Sequence, residues 1–174
     1  MTTFRSSLRT LRSAPGLTLL ELVLVIVLIG IISVIALPRF LDLREEAHQS
    51  SVDATAASFE AAVNLAHTAC TYNEFEGLDN LPIFGAGNVD FNPNCFPSST
   101  NGNNSLTVNG NRCMQIWNGL LSPAPPISTP VSDDTDYRAQ GGGTTCRYSY
   151  RRDTDTLRRF TYNAATGASS VTNP

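Results

Sequence analysis

GLTLLELVLVIVLIGIISVIALP, residues 16 to 38, is the stretch on which the fold turns. From Leu22 to Leu37 no residue is charged and nearly all are large and aliphatic. Counted from Leu17, the run has about the 20 residues a helix needs to cross a hydrocarbon core of about 30 Å. Glu21 stands against a plain membrane anchor. A carboxylate this close to an apolar run costs about 2 kcal/mol or more if it is desolvated without a partner. Its presence therefore demands a group that pairs with it.

The preceding segment supplies one. Residues 1–15 carry Arg5, Arg9 and Arg12, no acid, and end in Ala14-Pro15 before Gly16. A basic stretch, an apolar run and a small residue are the parts of an export signal. In an ordinary signal peptide the small cleavage residues follow the apolar run; here Gly16 precedes it. Cutting after Gly16 leaves the apolar helix on the mature protein and exposes a new amine at Leu17. An amine with a pKa near about 8 is mostly cationic at neutral pH. It can neutralise Glu21 of its own helix or of a neighbour, and the pairing exists only after proteolysis.

Gly16-Leu17-Thr18-Leu19-Leu20-Glu21 followed by the aliphatic run resembles the class III signal of type IV prepilins and type II secretion pseudopilins. The resemblance covers residues 1–38. It implies a dedicated inner-membrane peptidase that cuts after Gly16 and methylates the amine of Leu17. It also implies an inner-membrane assembly platform with its ATPase, and a register role for Leu17 and Glu21 in a helical filament of pilin copies. Leu17 departs from the phenylalanine usual in the family. Gly30 and Pro38 weaken or kink a helix, and the resemblance makes them the points where it bends or unwinds on leaving the bilayer.

Composition sets the limits. The 174 residues carry a net charge of −3, with twelve basic residues, all arginine, against fifteen acids. Three of those arginines lie in the leader, so the mature chain has nine against fifteen and a net charge of −6. An acidic chain argues against general nucleic-acid binding. The leader arginines favour a cytoplasmic N-terminus with everything after Pro38 outside. The four cysteines then lie in an oxidising compartment where disulfides persist.

After Pro38 the pattern turns amphipathic. Val52, Ala56, Phe59, Val63, Ala66 and Cys70 recur at helical spacing, with Phe40, Leu43 and Ala47 extending the stripe backwards. One kinked helix from Leu17 to about Tyr72, roughly 80 Å long, is expected. Loop chemistry rich in Asn, Gly and Pro follows from residue 73 to about Gly110, and again over 122–144. Strands are expected at Ser105–Val108, Arg112–Trp117, Cys146–Arg151, Leu157–Tyr162 and Ala168–Thr172, with Asn109-Gly110 as a hairpin turn and Asp153-Thr154-Asp155 as a second turn. The organisation is thus a leader 1–16, an apolar helix 17–37, an amphipathic helix 38–72 and a globular domain 73–174. That domain divides into a variable loop 73–104, which the resemblance makes an exposed filament surface, and a sheet 105–174. The expected fold class is α+β, a long N-terminal helix packed on an antiparallel sheet of about four strands, and the resemblance implies that this is the type IV pilin fold. Phe160-Thr161-Tyr162-Asn163-Ala164-Ala165-Thr166-Gly167, with Pro38-Arg39-Phe40-Leu41-Asp42-Leu43, is similar to the mannose-sensitive haemagglutinin (MSHA) branch of these pilins.

Four cysteines allow three pairings. Cys70–Cys95 would tie the loop to the helix, and Cys113–Cys146 would close the Pro-rich excursion between two sheet segments. There is no CxxC and no nearby His, so metal ligation fails on spacing. His48 and His67 are isolated polar helix positions. Asp133, Asp134 and Asp136, and separately Asp153 and Asp155, are the residues whose oxygens a calcium ion would take; solvated turn acids are the plainer reading, and no other cofactor is expected. Arg147, Arg151, Arg152, Arg158 and Arg159 alternate with Tyr148, Tyr150, Phe160 and Tyr162. Such a mixture can bind single-stranded nucleic acid, but inward aromatics and mostly outward arginines account for it more simply; Arg158, in phase with Phe160, departs from that pattern. No catalytic constellation is present, so no enzyme is expected. The resemblance implies a structural subunit: a single-pass inner-membrane precursor, then an extracellular pilus serving adhesion to host or abiotic surfaces, or motility. The alternatives are a pseudopilin of a type II secretion system and a minor pilin for assembly priming or DNA uptake.

Overall fold

The computed structural model describes residue 16 and residues 18–153 and 157–173; of residues 35, 37, 38, 41 and 42 it describes the backbone. Residues 1–15 of the leader, Leu17, residues 154–156 and residue 174 lie outside the described residues. The chain divides into two compact units, Met1–Leu43 and Arg44–Pro174. Helix α1, Leu19–Tyr72, contributes to both.

In the second unit α1 buries one stripe. Val52, Ala56, Phe59, Val63, Ala66 and Cys70 are all within 3% of full burial. The expected backward extension is not covered: Phe40 and Leu43, in the first unit, are more than half exposed, and Ala47 is exposed too. The stripe packs on a five-stranded sheet ordered β3 (Ile127–Ser128), β4 (Tyr137–Gly142), β5 (Thr145–Tyr150), β6 (Arg159–Asn163), β7 (Ser169–Thr172). Pairs β4–β5, β5–β6 and β6–β7 are antiparallel; β3 joins β4 in parallel. The sheet is therefore mixed and has one strand more than expected. Phe59 sits at the centre of the core, with ring centroids 5.2 Å from Tyr148, 5.6 Å from Phe160, 5.5 Å from Tyr162 and 6.1 Å from Trp117.

The largest correction falls on residues 105–120. Neither Ser105–Val108 nor Arg112–Trp117 is a strand; Gly110–Leu120 is helix α2. Asn109 is its N-cap, not a hairpin residue. The Asn109 side chain accepts the Arg112 N–H at 3.0 Å, satisfying one of the donors a helix start leaves open. Cys113, Ile116 and Trp117 then fall on one helical face, all fully buried. Cys113 is thus a helix residue bonded to Cys146 of β5, and Cys70 at the end of α1 is bonded to Cys95.

Two stretches that read as loop carry structure. Within 122–144 lie β3 and β4. The glycine run that suggests a loop is a hairpin: Gly143 holds φ +59° at its turn, and a Cβ on Gly141 would come within 2.5 Å of the Asn109 carbonyl carbon. Only glycine lets strand β4 pass that close to the start of α2. Residues 73–104 hold a two-stranded antiparallel pair, β1 (Asp90–Phe91) and β2 (Pro97–Ser99). They also hold a small core of their own, with Leu81, Val89 and Phe91 packed on Ala66, Cys70 and Cys95. The segment thus combines this small core with many exposed residues.

Candidate functional site

The feature that asks for a function is the first part of α1, taken by itself. Its start is built from two local rules. Thr18 is not helical, yet its carbonyl accepts the Leu22 N–H at 3.1 Å and its hydroxyl accepts the Glu21 N–H at 3.2 Å. Thr18 is therefore the N-cap and Glu21 the third helical residue, the Thr-x-x-Glu spacing of a capping box. That spacing is a signal the sequence carries beside the one used above. Glu21 lies in the first turn, where the helix dipole favours a negative charge by about 0.3–1 kcal/mol. Its side chain is exposed and, among the described residues, makes no ion pair.

Beyond Glu21 every large aliphatic side chain from Leu22 to Val34 is exposed, by 43–76%. Ser33 donates its hydroxyl to the Ile29 carbonyl at 2.7 Å, so the one hydroxyl in this run is satisfied within the helix. A Cβ on Gly30 would meet nothing within 4 Å, so no contact within the chain requires glycine there. Among the described residues no helix is long and apolar enough to cross a membrane. The side chains of this run are described without a break from Leu19 to Val34, sixteen residues or about 24 Å at 1.5 Å per residue. Ile35, Leu37 and Pro38, which would complete the span, have side chains outside the description. An all-round apolar helix has no stable place in water. Each of its Leu, Ile and Val side chains gains about 1.5–3 kcal/mol when fully covered.

The other candidate residues are engaged within the second unit. His48 Nδ1 lies 3.0 Å from the Tyr150 hydroxyl. His67 Nδ1 lies 3.0 Å from the Cys95 carbonyl, and its ring stacks on Phe96 at 4.3 Å. Asp134 and Asp136 are engaged by Arg152, which pairs with them at 2.5 and 2.6 Å and whose own pKa is raised first by the Asp136 and then by the Asp134 hydrogen bond. The Asp133 backbone carbonyl accepts from the Arg151 guanidinium and from the Thr135 N–H at 3.1 Å. Among the described residues no three His, Cys, Asp or Glu side chains converge as metal ligands would. Tyr148, Phe160 and Tyr162 are fully buried and unavailable for base stacking. The Tyr148 and Tyr162 hydroxyls donate to the Cys113 and Pro97 carbonyls at 3.0 Å each, and burial pushes both phenols upward.

Two charged side chains give no sequence signal of their roles. Arg158 falls in phase with the inward Phe160 and is buried; it pairs with Asp153 and with Glu45 of α1. Arg112 is also buried. Its Nε donates to the Ser98 carbonyl at 3.1 Å and its Nη2 to the Asn103 and Ser105 carbonyls at 3.0 and 2.7 Å. Loss of water lowers its pKa, and the Asp90 charge partly restores it. Asp90, fully buried, accepts from Asn80 N, Ser99 Oγ and Gly102 N at 3.0, 2.5 and 2.7 Å. The polar loop 98–107 is ordered around these two charges. A contact of that kind leaves no periodicity in the chain.

No protein-family profile matches the chain, and no solved structure does. A curated relative does: the type IV narrow pilus major component PilA5 of Thermus thermophilus is 55% identical over 53 residues. That match covers 30% of this chain and 46% of the relative, so the chain spans about half the length of the curated protein it matches.

Proposed function

We propose that this chain is a structural subunit of a type IV pilus, made as a single-pass membrane precursor and polymerised after cleavage between Gly16 and Leu17. The observation that carries the reading is the helix α1. One part of it is covered by the chain's own sheet; the other is apolar on every side and covered by nothing described. A bilayer satisfies that surface before assembly and neighbouring copies satisfy it afterwards. Similarity to a protein named as a pilus major component supports the same reading. In this scheme the amine freed at Leu17 meets Glu21 of a neighbour and sets the axial register, and Gly30 and Pro38 give the helix its freedom to bend. An MSHA-like branch, with surface attachment as the filament's task, is the finer form of the proposal. It rests on the Phe160–Gly167 and Pro38–Leu43 segments.

The absence of lysine makes the test unusually clean, because after cleavage the α-amine is the one primary or N-methylated amine in the chain. Intact mass should show a product beginning at N-methylated Leu17, and an amine-reactive reagent should label it in detergent but not in filaments. Glu21→Ala should be cleaved normally and yield at least tenfold fewer filaments. A chain that keeps residues 1–16, or a Glu21→Ala variant with normal filament yield, overturns the proposal. Loss of exported enzymes instead of surface filaments on deletion assigns the chain to a secretion pseudopilus.

A further inference from the structure

The outer face of the five-stranded sheet carries a charge pattern that the filament reading does not use. The strand registers align its outward residues in rows. One row is Arg138, Ser149, Arg159 and Thr172; the next is Gln140, Arg147, Thr161 and Ser170. Within strands β4 to β7 this face has three arginines and no carboxylate, on a chain whose net charge is negative. Among the described residues none of the three forms a salt bridge. Arg138 is steadied by donating its Nε to the Thr129 carbonyl at 3.1 Å. At the far end of the face Asp134 and Asp136 are already held by Arg152.

Sheet geometry sets the spacing. Arg138 and Arg159 are two strands apart, about 10 Å between Cα atoms, and Arg147 lies about 8 Å from each. At the hairpin end the face sinks into an open depression of about 280 Å³ lined by Gln140, Gly141, Gly142, Thr145 and Arg147. At about 30 Å³ per water that is room for about nine waters, enough for one sugar ring. The depression exists because residue 142 has no side chain.

We infer that this face binds an acidic polysaccharide: Arg138, Arg147 and Arg159 take the carboxylates or sulfates, Gln140, Thr145 and Thr161 bond the hydroxyls, and one ring seats over Gly142. Three features favour this partner over nucleic acid. The aromatic side chains of the sheet all point inward, so no base has a stacking platform. The face is a sheet surface without a groove-filling helix or ribbon. Its neutral residues are hydroxyl and amide groups suited to sugar hydroxyls. Each single contact is weak, because exposed charge pairs contribute little. Copies repeated along a filament would bind one polymer chain with avidity.

The test uses the full-length chain in neutral detergent micelles, so it does not depend on filament formation, and its failure leaves the pilus reading intact. The probes are polygalacturonate, neutral dextran and duplex DNA at matched charge concentration. Polygalacturonate should bind at low salt and weaken as salt rises; dextran should not bind. Arg147→Gln with Arg159→Gln should cost about tenfold or more in affinity, as loss of two charge contacts does. Gly142→Val leaves the charge unchanged, and a Cβ there meets nothing within 4 Å, so the sheet should tolerate it while the depression fills. It should cost about threefold or more, a modest steric loss on the scale of one weak contact. No polygalacturonate binding, binding unchanged in the double arginine variant, or binding unchanged by Gly142→Val overturns the inference. Tighter binding of DNA than of polygalacturonate overturns it in favour of a nucleic-acid surface.

Discussion

The two parts of helix α1 are equally helical and oppositely solvated. From Leu22 to Val34 no large side chain is less than 43% exposed; from Val52 to Cys70 the residues of one face are almost wholly covered. Propensity alone would favour the Ala-rich second part over the first, which is dense in β-branched Val and Ile, yet both are helical. The difference lies in what the rest of the chain offers. Residues 52–70 meet a sheet and α2 whose aromatic side chains fill the space around Phe59. Among the described residues nothing covers the side chains of residues 22–34. A helix can thus be stable through internal packing in one unit and through an environment in the other.

The sharpest way to break this comparison is to make the same kind of cut in each part. Phe59→Ala removes a ring that touches Trp117, Tyr148, Phe160 and Tyr162 and should destabilise the second unit by about 3–5 kcal/mol. Urea unfolding followed by tryptophan fluorescence reads this directly, because Trp117 is the one tryptophan and lies in that core. Ile26→Ala should leave the same transition unmoved and lower filament yield instead. Equal shifts in the unfolding midpoint would mean that the first part of the helix is supported from within the chain.

Next in size is the buried charge. Arg158→Ala takes from Asp153, whose side chain is 7% exposed, the guanidinium it pairs with, and should cost about 3 kcal/mol or more. Replacing Arg158 and Asp153 together by Met and Ala should cost clearly less, since no uncompensated charge then remains. If the double variant were the less stable one, the ion pair would be a net source of stability rather than a partly repaid burial.

The pH response has a defined sign. Burial raises the folded-state pKa of Tyr148 and Tyr162 and pushes Tyr137 up to about 12. In the unfolded chain all three ionise near about 10. Their contribution is therefore complete below about pH 10 and is lost as pH rises toward the folded-state values, by about 1.4 kcal/mol per pH unit for each phenol. Tyrosinate absorbance should show these three phenols ionising together with unfolding, and a smooth titration of all five tyrosines in the folded protein would contradict the packing.

What is legible in the chain follows from the same physics. The α1 stripe, the alternation of β5 and the turn into β7 are period signals carried by near neighbours in sequence, and they place those elements. Residues 110–120 mislead because Asn109-Gly110 is a hairpin-type dipeptide and the mostly apolar run Cys113–Trp117 behind it is short. So short a run cannot separate a strand from a helix face at 113, 116, 117 and 120. Arg112 and Arg158 are illegible for another reason: their partners lie on segments distant in space or sequence, and their burial is decided by the tertiary fold. At the candidate site the apolar run and Glu21 are plain from the chain, whereas no described residue shows what covers that run.

Asn109 gives the smallest effect and separates helix start from hairpin. As an N-cap its oxygen satisfies the Arg112 N–H, so Asn109→Ala should cost about 1 kcal/mol. Asn109→Asp should keep the acceptor and add a favourable charge at the helix start, costing little or nothing. The ranking is the informative part. A hairpin turn needs φ above zero at this position, whereas Asn109 holds φ −126°. Asn109→Gly would therefore relieve strain in a hairpin and stabilise it. At an N-cap the same change surrenders the side-chain bond and should leave the protein a few tenths of a kcal/mol weaker than with Asn. Thermal unfolding of the Ala, Asp and Gly variants distinguishes the two, because a cap ranks Asp near Asn, then Gly, then Ala, and a turn puts Gly first.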